Sequence, residues 1–377
     1  MNIQVNIIFY LNIVNDIILF IQICLIEVLH LKFSLPEDVT YIIDTFYKKG
    51  FEAYIVGGCI RDLCLDKMPK DYDITSSALP EDVIKLFNHT AKTGVRYGTI
   101  TVIMNGRNYE VTTYRLEGKY SDSRHPDKVL FTDNIYDDLK RRDFTMNAMA
   151  YNNIKGLLDP FNGTESIQNK EIICVGDPEK RFKEDALRML RAVRFSCELN
   201  FHIEKNTYSS IVKNCSLIKN ISVERIQCEL IKILLSKKPS IGIRTLYSSG
   251  LMDYIIPEMK CCVGFDQHNP HHDKDVFEHI LSVLDNTPQN ISVRLSALFH
   301  DIGKPICFSI DEKGIGHFYK HNIISAELSS TILKRLKFDN NTIKKVFILI
   351  KEHMNFPNPE NLSSIKKFIK RVGIENV

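Results

Sequence analysis

Asp71 and Asp73 flank a single tyrosine in "KDYDIT", a few residues after the glycine pair Gly57-Gly58 that follows the apolar run "AYIV". In a strand alternate side chains share a face, so the two carboxylates would project together and Tyr72 the other way. Two carboxylates this close repel each other unless something cationic sits between them. Hard oxygen donors at this density suit Mg²⁺. With two metals, such a site activates an attacking hydroxyl and stabilises the leaving oxygens of an in-line phosphoryl displacement. Glu110 in "YEVTTYR" offers a third carboxylate on a neighbouring strand. Side-chain-free backbone at Gly57-Gly58 would let amides approach a triphosphate closely. A D-x-D by itself also marks a turn or an exposed strand edge. The specificity comes from a glycine pair, a D-x-D and a strand glutamate following one another in one compact segment.

The surrounding sequence contains elements able to hold those residues. "LPEDVTYIIDTFYKKG" opens with a proline and acids, carries apolar residues at helical spacing and stops at Gly50, which predicts a helix. "AYIVGG", "KDYDIT", "YGTITVIMNG" and "NYEVTTYR" predict short strands, with "MNGRNYE" as a hairpin. From about 166 to 260 the signals are helical, in "RFKEDALRMLRAVRFSCEL" and then "SVERIQCELIKILL". At about 100° per residue, Phe182, Ala186, Met189, Leu190 and Val193 share an apolar face, with Arg181, Asp185 and Arg188 on an adjacent polar arc. From about 265 the helices continue and become rich in histidine. The expected organisation is a small mixed α/β domain followed by a long helical region.

Bulk properties constrain the class without naming a partner. The 377 residues allow two or three domains, and 44% hydrophobic with 25% charged residues is a soluble globular composition. A net charge of +3 announces no polyanion partner, so such a signal must be local. Between Pro178 and Arg194, Lys180, Arg181, Lys183, Arg188, Arg191 and Arg194 form such a cluster. The ten cysteines show neither CxxC nor finger spacing and read as reduced thiols of a cytoplasmic protein without structural zinc. The apolar stretch Ile7–Leu31 is broken by Asn12, Asn15, Asp16, Gln22 and Glu27, and lacks a basic flank and a cleavage site. It is expected to be an extra helix, or residues upstream of the true start, rather than a membrane anchor.

"GGCIRD", "DYDIT", "YGTITV", "EVTTYR", "RRDFTMNAMA", "DPEKRFKEDALRMLRAVRF" and "SVERIQCEL" follow in that order from Gly57 to Leu230. The early part resembles the nucleotidyltransferase superfamily that includes DNA polymerase β. The whole series resembles the class II tRNA nucleotidyltransferases, the CCA-adding enzymes, and their bacterial poly(A) polymerase relatives. The resemblance implies an α+β protein. A polymerase-β-like catalytic domain with a small mixed sheet would occupy 33–165 after an extension at 1–32. A helical base- and tRNA-binding region would follow at 166–264, and an HD-type helical domain at 265–377.

Residue by residue, the resemblance carries Gly57, Gly58 and Arg61 into nucleotide binding, with Asp71, Asp73 and Glu110 as catalytic carboxylates. Arg142 and Asp143 in "RRDFT" match the motif that reads the ribose. Asp185 and Arg188 in "EDALR" match the protein template for the incoming base, with Arg191 and Arg194 beside them. The chemistry is apt: an acceptor beside a donor fork complements the pairing edges of C and A and meets two repulsions on U or G, and a bidentate pair discriminates by ~1–3 kcal/mol. Asp122 and Arg124 in "YSDSRHPDKV" match the flexible loop that switches specificity from C to A. "HHDKDVFEHI", "LFHDIGKP" and "HNIISAE" resemble an HD domain, with His279, His300 and Asp301 as metal ligands and His321 as an extra one. The distal Asp of that pattern has no evident match before Val377, so the domain reads as shortened by one or two helices.

The implied activity is Mg²⁺-dependent, untemplated addition of C, C and A to the 3′ end of tRNA from CTP and ATP. A poly(A) polymerase or a partial CC- or A-adding enzyme shares the same core and stays open at this point. An HD phosphohydrolase and an inactive RNA-binding protein are the rivals from other classes.

Overall fold

The computed structural model of the chain describes residues 32–117, 129–268, 274–355 and 357–374. The N-terminal extension, apart from its last residue, and the loop with Asp122 and Arg124 lie outside the described residues. Among the described residues no helix is long and apolar enough to cross a membrane. The chain divides into two compact units, which meet in sequence at Gly176 and Asp177.

The first unit begins with α1 (Glu37–Lys48), which buries Val39, Ile42, Ile43 and Phe46. Then come β1 (Ala53–Val56), α2 (Gly58–Cys64), β2 (Ile74–Ser76), α3 (Pro80–Leu86), β3 (Thr90–Gly94), β4 (Thr99–Met104) and β5 (Arg107–Thr113). The ribbon β6 (Arg115–Glu117) and β7 (Val129–Phe131), then α4 (Ile135–Lys140), β8 (Ala150–Asn152), β9 (Gly156–Leu158) and α5 (Gly163–Gln168) complete it. One seven-stranded sheet has the order β3-β4-β5-β2-β1-β8-β9. The β2–β5 pair is parallel and the other neighbours are antiparallel. The hairpin expected at "MNGRNYE" is β4–β5, and its turn residues Asn105 and Gly106 take φ of 48° and 75°. Those positive angles match the right-handed twist of the strands they join.

One expectation fails by a few residues. Asp71 and Asp73 precede β2, which starts only at Ile74. Before that point the chain is not yet paired on both sides, so strict alternation of faces does not apply.

The second unit is helical: α6 (Pro178–Glu184), α7 (Leu187–Leu199), α8 (Lys205–Asn214), α9 (Val223–Leu234), α10 (Pro239–Ser248), α11 (Met252–Ile255), α12 (Val276–Asp285) and α13 (Ile291–Phe299). A short α14 (Lys304–Cys307) and the hairpin β10 (Phe308–Ile310) and β11 (Gly316–Phe318) lead to α15 (His321–Arg335), α16 (Asn340–Glu352) and α17 (Leu362–Val372). Here a second expectation is corrected. "RFKEDALRMLRAVRFSCEL" is two helices, because Asp185 is extended at φ −145°, ψ 103°. Its side-chain Oδ1 accepts the Leu187 N–H at 3.0 Å, serving an amide that the new helix leaves without a backbone partner. The apolar positions Phe182, Ala186, Met189, Leu190 and Val193 are nevertheless all buried.

Candidate active site

Asp73 is held by backbone on its β1 side. The Val56 N–H donates to its carbonyl at 3.0 Å, continuing the β1–β2 ladder one residue past the strand. On the other side the parallel register sets Ile74 opposite Val111, so Asp73 falls beside Glu110. Asp71, Tyr72, Asp73 and Glu110 line one cleft of about 480 Å³ together with Thr93, Thr101 and Asn108. Tyr72 therefore belongs to the cleft and not to an opposite face.

The Asp73 carboxyl titrates above the usual aspartate range. Partial loss of solvent is the main cause, the charges of Glu110 and Asp71 add to it, and Arg142 opposes. Three carboxylates with one partly compensating guanidinium form a hard-oxygen donor set short of positive charge, which fits a divalent cation. The three do not converge to within 4.8 Å of one another. Among the described residues, the donor groups that do so are in the helical unit.

Arg142 is placed by a buried anchor. Asp138, fully buried on α4, receives Arg141 through Nε and Nη2 at 3.0 and 2.8 Å and Arg142 Nη2 at 3.3 Å. Burial works against the Asp138 charge, yet the two arginines hold its pKa below the usual value. The other end of Arg142 packs over Gly57, where φ is +79° and a Cβ would lie 2.9 Å from Nη1. Glycine is thus required twice at this turn, for its dihedral and for the guanidinium above it. Arg61 donates to Asn147 Oδ1 at 3.0 Å and pairs with Asp62 at 2.7 Å. Asp143 turns inward: its Oδ1 accepts the Phe144 N–H at 2.8 Å and Asn147 Nδ2 at 3.3 Å. Arg142 therefore borders the glycine turn, while Asp143 braces the bend that presents it.

In the helical unit, Asp185 and Arg188 are each held by a residue that the sequence reading did not select. Arg225 on α9 donates to Asp185 Oδ2 at 2.7 Å and Oδ1 at 3.3 Å. Arg188 donates to Glu184 Oε2 at 2.7 Å and to the Arg181 carbonyl at 3.3 Å. Asp185 is thus tied to α9, while Arg188 and Arg181 share Glu184 Oε2. Arg191 lies half-buried with its guanidinium 5.5 Å from the Phe195 ring centre. Arg194 is buried, with Nε 3.1 Å from Glu229 Oε2, and works as an internal ion pair in this structure. Much of the basic cluster is likewise answered locally, Lys183 by Glu179 and Arg181 by Glu184, each at 2.7 Å.

A second constellation sits where four helices of this unit meet. His279 on α12, His300 and Asp301 after α13, His321 opening α15 and His353 after α16 surround one buried carboxylate. His279 and His300 Nε2 lie 3.4 and 3.2 Å from Asp301 Oδ2, and His321 and His353 Nε2 lie 3.4 and 3.8 Å from Oδ1. Three rings bond backbone carbonyls through Nδ1: His300 to Ala297, His321 to Phe318 and His353 to Ile350, at 2.9, 2.8 and 2.6 Å. With Nδ1 as donor, each Nε2 keeps its lone pair facing inward, as a metal ligand requires. Burial, chiefly, also pushes the His353 pKa down, which favours the neutral ligand form. Burial opposes the charge of Asp301, but His300 and Lys304, whose Nζ is 2.9 Å away, hold its pKa far below the usual range. Asp301 Oδ1 is buried and accepts no hydrogen bond, an orphan that a cation would satisfy. His353 was not found in the sequence because a lone histidine in "KEHMN" carries no spacing signal.

Comparison with known proteins follows the same division. Residues 53–173 match the family described as "Poly A polymerase head domain", residues 200–262 "Probable RNA and SrmB- binding site of polymerase A", and residues 276–372 "HD domain". The CCA-adding enzyme of Lactobacillus helveticus is 52% identical over 192 residues, which is 51% of this chain and 48% of that protein. That of a Geobacillus species is 47% identical over 214 residues, 57% of this chain and 53% of the relative. The chain thus spans about half the length of these curated relatives. The crystal structure of the Bacillus stearothermophilus CCA-adding enzyme in complex with CTP superposes with a TM-score of 0.63 at 31% identity, covering 89% of this chain and 74% of that one.

Proposed function

This chain belongs to the CCA-adding enzyme family, and from that premise we propose that it extends tRNA 3′ ends with C, C and A, taken from CTP and ATP. The observation that carries the reading is the parallel β2–β5 register, which sets Asp73 beside Glu110 and gathers them with Asp71 in one cleft. The tRNA 3′-hydroxyl attacks the α-phosphate of the bound nucleotide, and pyrophosphate leaves. Mg²⁺ held by Asp71 and Asp73, with Glu110 beside them, would supply hydroxyl activation and charge neutralisation. Gly57 gives the turn a surface without a side chain, and Arg142 adds a fixed positive charge at its border. Asp185, as acceptor, and Arg188, as donor, select the base. The free thiols of the described cysteines are in keeping with a cytoplasmic enzyme.

The test is an extension gel on tRNA ending at the discriminator base, with the four nucleotides supplied singly and together. Two additions with CTP alone and a stop at three with CTP plus ATP are expected. A long ladder with ATP alone would make the protein a poly(A) polymerase, and a stop at two in the full mixture would make it a CC-adding enzyme.

A second site is favoured by the orphaned Asp301 Oδ1. His279 and His300 on one oxygen, and His321 and His353 on the other, would hold a divalent transition metal of the kind imidazole prefers.

A further inference from the structure

We propose that Arg225 is a specificity-determining positioning residue: its two-pronged hold on Asp185 orients the carboxylate so that it accepts the amino group of C or A. The proposal rests on the reading of Asp185 as the base-selecting acceptor.

The pair is not a helix-surface contact, since 40 residues separate its members in sequence. Asp185 needs an outside anchor because it sits in the break between α6 and α7, where its extended backbone no longer follows the helical path. Its carboxylate has about four acceptor positions. The Leu187 N–H and Arg225 Nη1 take two on Oδ1, at 3.0 and 3.3 Å, and Arg225 Nη2 takes one on Oδ2, at 2.7 Å. Three contacts fix the plane of the group and leave one acceptor position on Oδ2. A single fixed acceptor matches the single amino group on the pairing edge of C or A.

The arginine acts in a second way, by charge. The two side chains are only 24% and 17% exposed, so this charge-assisted contact forms where water is limited. A carboxylate free to rotate would lose the fixed direction of its one open acceptor position. Arg225 also lines a cleft of about 420 Å³ with Leu187, Ser222, Cys228 and Glu229, so the arginine's side of the pair borders open space.

The alternative is that Arg225 merely ties α9 to the α6–α7 junction. The two roles separate in the ratio of kcat/KM for CTP over UTP, and for ATP over GTP on tRNA ending in CC. Wild type, Arg225→Lys and Arg225→Gln are compared, with the unfolding midpoint measured alongside. Arg225→Gln is expected to reduce both ratios about tenfold. Arg225→Lys, which keeps the charge and loses one prong, is expected to fall between. Ratios unchanged while rates drop equally for every nucleotide would overturn the proposal and leave a structural tie. If Arg225→Gln does not fold, the same criterion applies to Arg225→Lys. Wild type that extends tRNA with no preference for C and A would instead remove the base-selecting role of Asp185, and the proposal with it.

Discussion

At the scale of single residues, the Asp71–Asp73–Glu110 cleft trades stability for charge. Asp73 has a folded pKa above its unfolded value, so the folded state binds that proton more tightly than the unfolded chain does. Stability from this group is therefore fullest below the ordinary aspartate pKa of about 3.9. It declines as pH rises through the raised value, and a constant cost remains at neutral pH. Asp73→Asn in the metal-free protein should raise Tm at neutral pH and flatten that decline, while nucleotide incorporation falls more than about 100-fold. Thermal unfolding across acidic to neutral pH and the extension gel read both arms. A variant that is less stable but still active would contradict the assignment. Gly57→Ala meets two penalties, the +79° dihedral and the Arg142 guanidinium at 2.9 Å. A stability loss of about 1–3 kcal/mol is expected by urea unfolding, with at least about tenfold lower activity as Arg142 is displaced.

At the scale of elements, close approach of helices constrains the second unit. Gly242 on α10 leaves no room for a side chain, since a Cβ would lie 2.5 Å from Ile233 Cγ2 of α9 and 3.0 Å from Cys197 Sγ of α7. Alanine there gains up to about 1 kcal/mol of helix propensity against an overpacking cost of about 1–3 kcal/mol. Gly242→Ala should thus lie between neutral and mildly destabilising. Gly242→Val has a larger clash and a weaker propensity gain, and should lose about 2–3 kcal/mol in urea unfolding. A valine variant as stable as wild type would mean that these helices separate freely. The elements themselves were largely legible in sequence: α1 from its proline, acids and terminal glycine, and the β4–β5 hairpin from Asn105-Gly106. The break at Asp185 was not legible, because its apolar neighbours keep helical spacing on both sides and only the carboxylate's own bond to Leu187 N–H reveals the restart.

At the scale of the whole molecule, a transferase-like cleft and a histidine-carboxylate centre occupy separate units of one chain. Binding at the centre should stabilise the folded protein, by about 2.7 kcal/mol at a hundredfold excess over Kd. Metal content after loading with Mn²⁺ or Ni²⁺ and desalting, read by mass spectrometry, should fall in Asp301→Ala, which breaks both triads, to the level that the carboxylate cleft retains. His353→Ala should remove only part of it. Equal metal in wild type and Asp301→Ala would place the ion elsewhere.

The sequence by itself singled out Asp71, Asp73, Glu110 and the His300-Asp301 pair as candidates and gave the order of most elements. Glycine turns, caps and the 3.6-residue period act over a few residues and leave local marks. Tertiary structure alone decided the company each residue keeps. Asp73 meets Glu110 through a parallel register, and Arg225 reaches Asp185 across 40 residues. His353 comes to Asp301 from 52 residues further along the chain. These partnerships arise because burying apolar faces fixes whole helices and strands against one another. Side chains distant in sequence are then held within bonding distance by packing that no local period records.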